Sequence, residues 1–195
     1  MDFETANEVM GDVGALQRRV RGDRRATSVP LLVFGTLTFV ASVIGPMLNV
    51  LSVLALVLLA PVGFLLVAHI YRRREISLGV GGRERSYKVA ALVTVLLLPF
   101  FGLFLGEYAI VGLALVVIAV LQRNLQLGAW AFIFGLVGTL ERFSLISNRV
   151  YTLANMLGFN RSNDGYFSWS SSLVYAVLGL ALIAGGFFAR HREGA

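Results

Sequence analysis

Cysteine is absent from the 195-residue sequence. That excludes a disulfide framework, thiol chemistry and any metal site built on thiolates. Histidine occurs only as His69 and His191, far apart in the chain, so an imidazole metal site is not expected. Charge is scarce as well. Asp, Glu, Lys and Arg make up 14% of the chain, where a soluble domain carries about 25%. There is no H-E-x-x-H, no G-x-S-x-G and no Walker A sequence, so the common hydrolase and nucleotide motifs are missing. Gly79, Gly81 and Gly82 come nearest to a phosphate turn. Their G-x-G-x-x-E spacing lacks the third glycine, and no strand precedes it. The expectation is a protein that is not an enzyme and holds no cofactor.

What is present is hydrocarbon. The chain is 57% hydrophobic with a mean hydropathy of +0.77, so the lipid bilayer is the expected solvent. From Val50 to Ile70 no residue is formally charged, and Arg72, Arg73 and Arg74 follow Tyr71. That run has about the length that crosses roughly 30 Å of hydrocarbon as a helix, and the arginines pin its end to the cytoplasmic side. The net charge of +6 does not point to nucleic acid. Of 17 basic residues, 14 fall in segments beside apolar runs, as orientation signals do. A basic cytoplasmic face also attracts anionic lipid headgroups.

Six apolar runs follow from this reading: Ser28 to Gly45, Val50 to Tyr71, Val89 to Leu105, Ala109 to Leu121, a run from Leu127 to Leu140, and Leu173 to Ala189. The predicted fold is an all-α polytopic membrane protein of six transmembrane helices, in the bacterial cytoplasmic membrane. The transmembrane domain covers 28–189, with both termini cytoplasmic and a short tail at 190–195. Segment 72–88 reads as a flexible cytoplasmic loop, rich in arginine and glycine. Segment 141–170 reads as external, with Leu145, Val150, Leu153, Met156 and Leu157 spaced for a helix lying along the membrane surface. Pro61 lies inside the second run, where a missing N–H frees a backbone carbonyl and kinks helices. Ala181, Gly185 and Gly186 give the last run a small-residue face suited to close helix packing.

Residues 1–27 form an amphipathic cytoplasmic helix in this reading. Phe3, Ala6, Val9, Met10, Val13, Leu16 and Val20 make a single apolar stripe. No apolar run lies near Met1, so a signal peptide is not expected. The helix either rests on headgroups or docks a cytoplasmic partner or a second copy, with Val9, Val13 and Leu16 as docking residues. At the other face, Glu107, Glu141 and Arg142 fall at the ends of spans. They form the candidate outer charge cluster, in which Arg142 pairs with one or both carboxylates. None of the three lies at mid-bilayer, which argues against a proton-coupled carrier with a central acid.

The segment RRVRGDRRATSVPLLVFGTLTFVAS (18–42) is a basic amphipathic lead into a first span. It resembles small integral membrane proteins of GC-rich Gram-positive bacteria, and the resemblance implies no catalytic or binding residue. The expected function is a non-catalytic membrane subunit or accessory protein, associating with a membrane or cytoplasmic partner or with itself. The alternative is a small transporter or channel with a path through the bundle. A water-filled polar cavity between the spans discriminates the two.

Overall fold

A computed structural model describes residues 27–44, 50–78, 83–158 and 169–194. Seven α-helices and no strand occur among them: α1 (Ser28–Ile44), α2 (Val50–Leu78), α3 (Arg83–Leu105), α4 (Glu107–Leu121), α5 (Leu125–Arg142), α6 (Leu145–Met156) and α7 (Trp169–Gly194). The all-α expectation holds. The N-terminal helix with Val9, Val13 and Leu16, and the glycines at 79, 81 and 82, lie outside the described residues.

Among the described residues one helix, Trp169–Arg192 within α7, is long and apolar enough to cross a membrane, with a mean hydropathy of 2.1. Its 24 residues rise about 36 Å. Helices α5 and α6 pass the same test only together, as a pair bent by 69° at Phe143–Ser144. Helices α1 and α4 are apolar but shorter, at 17 and 15 residues. Six crossings are therefore not supported by helix length and composition among the described residues: one helix qualifies, or two if α5 and α6 form one broken span.

The expected flexible loop at 72–88 is largely helical, which corrects the sequence reading. Helix α2 continues past the arginines to Leu78, and α3 begins at Arg83. The physical reason is local. Glu84 and Lys88 form an i,i+4 ion pair on α3. The Glu75 carboxylate on α2 accepts a hydrogen bond from the Glu84 backbone N–H, 3.3 Å away, which satisfies one of the free donors of the α3 N-terminus. Helix α2 also runs on through Pro61.

Neighbouring helices alternate in direction. On α1 and α7, Leu32 faces Gly186, Gly35 faces Leu182 and Phe39 faces Gly179, an antiparallel seam that closes the two ends of the bundle on each other. On α4 and α5, Tyr108 faces Gly138, Gly112 faces Gly135 and Ala119 faces Gly128, again antiparallel. A Cβ on Gly112 would overlap the Gly135 backbone, so these two helices touch main chain to main chain. On α7, Gly186 lies against Leu32 and Gly185 against the Trp130 ring, so part of the expected small-residue face is a packing seam.

This alternation sorts the charges. One end of the bundle gathers the start of α1, the end of α2 with Arg72 and Arg73, the start of α3 with Arg85 and Lys88, Arg123 between α4 and α5, and Arg190 and Arg192 on α7. It is called the arginine end below. The opposite end, the glutamate end, carries the α3–α4 turn with Glu107 and the α5–α6 turn with Glu141 and Arg142. The core between them holds Phe34, Phe64, Val67, Leu115, Ile118 and Phe134.

At the arginine end a buried polar clasp fixes the α4–α5 turn. Asn124 is the N-cap of α5, and its side-chain oxygen accepts from the Leu127 N–H at 3.1 Å. That is the usual role of asparagine at this position. Its amide nitrogen donates to the Thr27 hydroxyl at 3.0 Å, tying the start of α1 to the turn. Tyr71 and Tyr87 stack nearby with ring centroids 5.4 Å apart, joining α2 to α3.

Candidate functional site

The glutamate end is assembled by two turns. Helix α3 stops at Leu105, and Gly106 takes a φ of 82°, a left-handed value that a side chain disfavours. Glu107 then opens α4 as an acid in its first turn, where the helix dipole favours negative charge. A Cβ on Gly106 would lie 3.4 Å from Arg142 Cβ and 3.6 Å from its Cγ and Cδ. The aliphatic stem of Arg142 thus lies over the α3–α4 turn. This contact brings the end of α5 beside Glu107.

Helix α5 ends at Arg142, and Ser144 adopts a left-handed conformation with φ 55°. The bend sends α6 off at 69° to α5. Leu145, Leu153, Met156 and Leu157 are exposed on it, while Ser147 is buried. Glu141 holds this elbow. It is 5% exposed, and its Oε2 accepts from the Ser147 N–H at 3.1 Å. Its Oε1 is buried with no hydrogen-bond partner among the described residues.

Aromatic rings fill the space beneath. Tyr108 stacks on Tyr175 of α7 with centroids 4.3 Å apart and an interplanar angle of 24°. Tyr108 also meets Phe134 of α5 edge-on at 5.7 Å. Below the rings lies a cavity of about 40 Å³ between α1, α2, α4 and α5. Phe34, Thr38, Leu59, Glu107, Tyr108 and Phe134 are among the residues that line it. At about 10–15 Å³ per water-sized sphere, this is room for a few water molecules or a small chemical group.

The structure places Glu107, Glu141 and Arg142 at one end of the bundle, with the Arg142 stem over the turn that precedes Glu107. It also separates their parts. Glu141 is buried and holds backbone, Glu107 is half-buried and faces the cavity, and Arg142 is exposed. Sequence reasoning missed Tyr108, Tyr175, Phe34 and Phe134. A hydroxyl-bearing Tyr175 inside an apolar run was the available signal, because buried tyrosines need a polar neighbour. The Thr27–Asn124 clasp was missed too, since nothing in the spacing couples residues 97 apart.

At the arginine end the Glu84 carboxyl sits below the usual carboxylate range, chiefly through its hydrogen bond with Lys88. Among the described residues no group of three or more His, Asp or Glu is placed to hold a metal ion. No family model, curated protein or solved structure matches this chain.

Proposed function

We propose that the chain is an integral membrane protein of six crossings, with its arginine end cytoplasmic, and that it serves as a non-catalytic membrane component. Its expected associates are a membrane or cytoplasmic partner, a second copy, and anionic headgroups at the arginine end. The carrying observation is where large apolar and small polar side chains lie. Leu65, Leu92, Phe104, Leu113, Phe132 and Phe187 point outward, while Thr38, Ser42, Thr94, Gly112 and Gly179 are buried. Water does not stabilise such a surface, because large exposed apolar patches drive association. Lipid does, and small interior residues let helices approach closely.

Helix α2 supports the count of crossings through its uncharged run from Val50 to Ile70. The short helices α1 and α4 fit a bilayer that thins locally or residues that snorkel at span ends. The gathering of basic groups at one end agrees with the positive-inside rule. A channel or transporter needs a polar path. The cavity under Glu107 is small and mostly apolar-walled, which weighs toward association and binding over conduction.

The test has two parts. Reporter fusions after Asn49, Glu107 and Ser162 are expected to read as external, and fusions after Glu84 and Arg192 as cytoplasmic. A cytoplasmic reading at Ser162 would replace the fifth crossing with a re-entrant segment. Purification in mild detergent at native expression level is then expected to yield a stoichiometric partner or a homo-oligomer. A lone monomer that moves a solute across vesicles would reverse the functional reading.

A further inference from the structure

We propose that the cavity under Glu107 is a binding site for the head of an amphiphilic organic cation, a primary ammonium carried on an apolar tail. The proposal rests on the membrane reading above, because the tail needs hydrocarbon. Glu107 is the one charged side chain among the ten that line the cavity, and three others, Phe34, Tyr108 and Phe134, are aromatic. A carboxylate beside ring faces is complementary to a compact organic cation, since the rings attract ammonium within about 6 Å of their centroids. An anion would meet Glu107 as a like charge, and a sugar would leave its hydroxyls unpaired against apolar walls.

The rings are preorganised. Tyr108 is held by the stack on Tyr175 and by the edge of Phe134, and Phe34 by its edge contact with Phe64 at 4.8 Å. Binding therefore immobilises little that is not already fixed. The size of about 40 Å³ limits the head to a few heavy atoms. The exposed Val40, Leu58 and Val62, beside the lining residues of α1 and α2, offer an apolar track for the tail.

Arg142 is the competing cation at this end, with its stem over Gly106 next to Glu107. That gives the proposal a variant of opposite sign. The experiment uses the full chain in a neutral maltoside detergent, titrated calorimetrically with decylammonium, decanol and decanoate, which share one tail length. The parent is expected to prefer the ammonium over decanol by about tenfold or more, equivalent to roughly 1.4 kcal/mol. Glu107→Gln is expected to abolish that preference while leaving decanol binding unchanged. Arg142→Gln is expected to strengthen ammonium binding several-fold. Phe134→Leu keeps the apolar volume and removes a ring, so it is expected to weaken ammonium binding alone, and it serves if Glu107→Gln unfolds. Equal binding of the three probes by the parent, or an undiminished preference in both variants, would overturn the site. Alkaline extraction of membranes separates the two readings. A chain released from the membrane refutes the membrane reading, whereas a retained chain with no ammonium preference refutes only the site.

Discussion

The two ends of the bundle treat buried polar groups differently. At the arginine end Thr27 and Asn124 are both almost fully buried, and each finds the other while Asn124 also caps α5. The Gln122 amide is buried there without a hydrogen-bond partner among the described residues. At the glutamate end Glu141 Oε1, Asn155 Oδ1, Trp169 Nε1 and Ser172 Oγ are all buried with no hydrogen-bond partner among the described residues. An unmade hydrogen bond on a buried group costs about 1–3 kcal/mol. One end is therefore a closed clasp that fixes helix register. The other leaves several buried polar groups unpaired among the described residues, so its helix ends are held by fewer polar contacts.

That contrast can be broken in order of severity. Gly112→Val attacks the seam that carries both ends, because the added atoms meet the Gly135 backbone and not a flexible side-chain tip. Overpacking of this kind costs about 3 kcal/mol, and thermal unfolding in detergent is expected to show the largest loss of any single change considered. Asn124→Ala breaks the closed end alone. It removes the α5 cap and leaves the Thr27 hydroxyl without its donor, for about 2–3 kcal/mol in the same assay. A double-mutant cycle with Thr27→Val is expected to give strong coupling, and additive effects would show that the clasp carries no energy.

Glu141→Ala addresses the glutamate end. It frees the buried Ser147 N–H and is expected to cost about 1–2 kcal/mol, while Glu141→Gln keeps an acceptor and stays nearer the parent. Arg142→Ala is expected to cost less than Glu141→Ala, since Arg142 is exposed. The reverse order would mean that charge pairing, and not the Ser147 hydrogen bond, holds the α5–α6 elbow. The smallest effect belongs to Glu84. Its carboxyl lies below its ordinary value because Lys88 stabilises the ionised form. Its contribution is present above the unfolded carboxylate range and is lost as pH falls through the folded value. Glu84→Gln is expected to flatten the acid limb of a stability–pH curve slightly and to leave neutral stability within error, as exposed ion pairs do.

Much of this was legible in the residues. The helical class follows from apolar runs too long for strands, and the sorting of basic groups follows from their positions after each returning run. The small face at Gly185 and Gly186 was legible because close helix approach needs missing side chains. The loop at 72–88 was misread because arginine and glycine content signals flexibility. The Glu84–Lys88 pair at helical spacing was the local signal for helix there, whereas the Glu75 hydrogen bond becomes visible only once α2 and α3 lie side by side.

The sequence by itself determined that these helices bury small residues and turn large apolar ones outward, because hydropathy and residue size are local properties. It also determined which end of each run is basic. Only the tertiary structure decided that α1 pairs with α7, that Thr27 reaches Asn124 and that Glu107, Tyr108, Phe34 and Phe134 surround one cavity. Those choices depend on which ridges fit which grooves across long stretches of chain. Apolar surfaces of similar composition are interchangeable until side-chain shape selects among them.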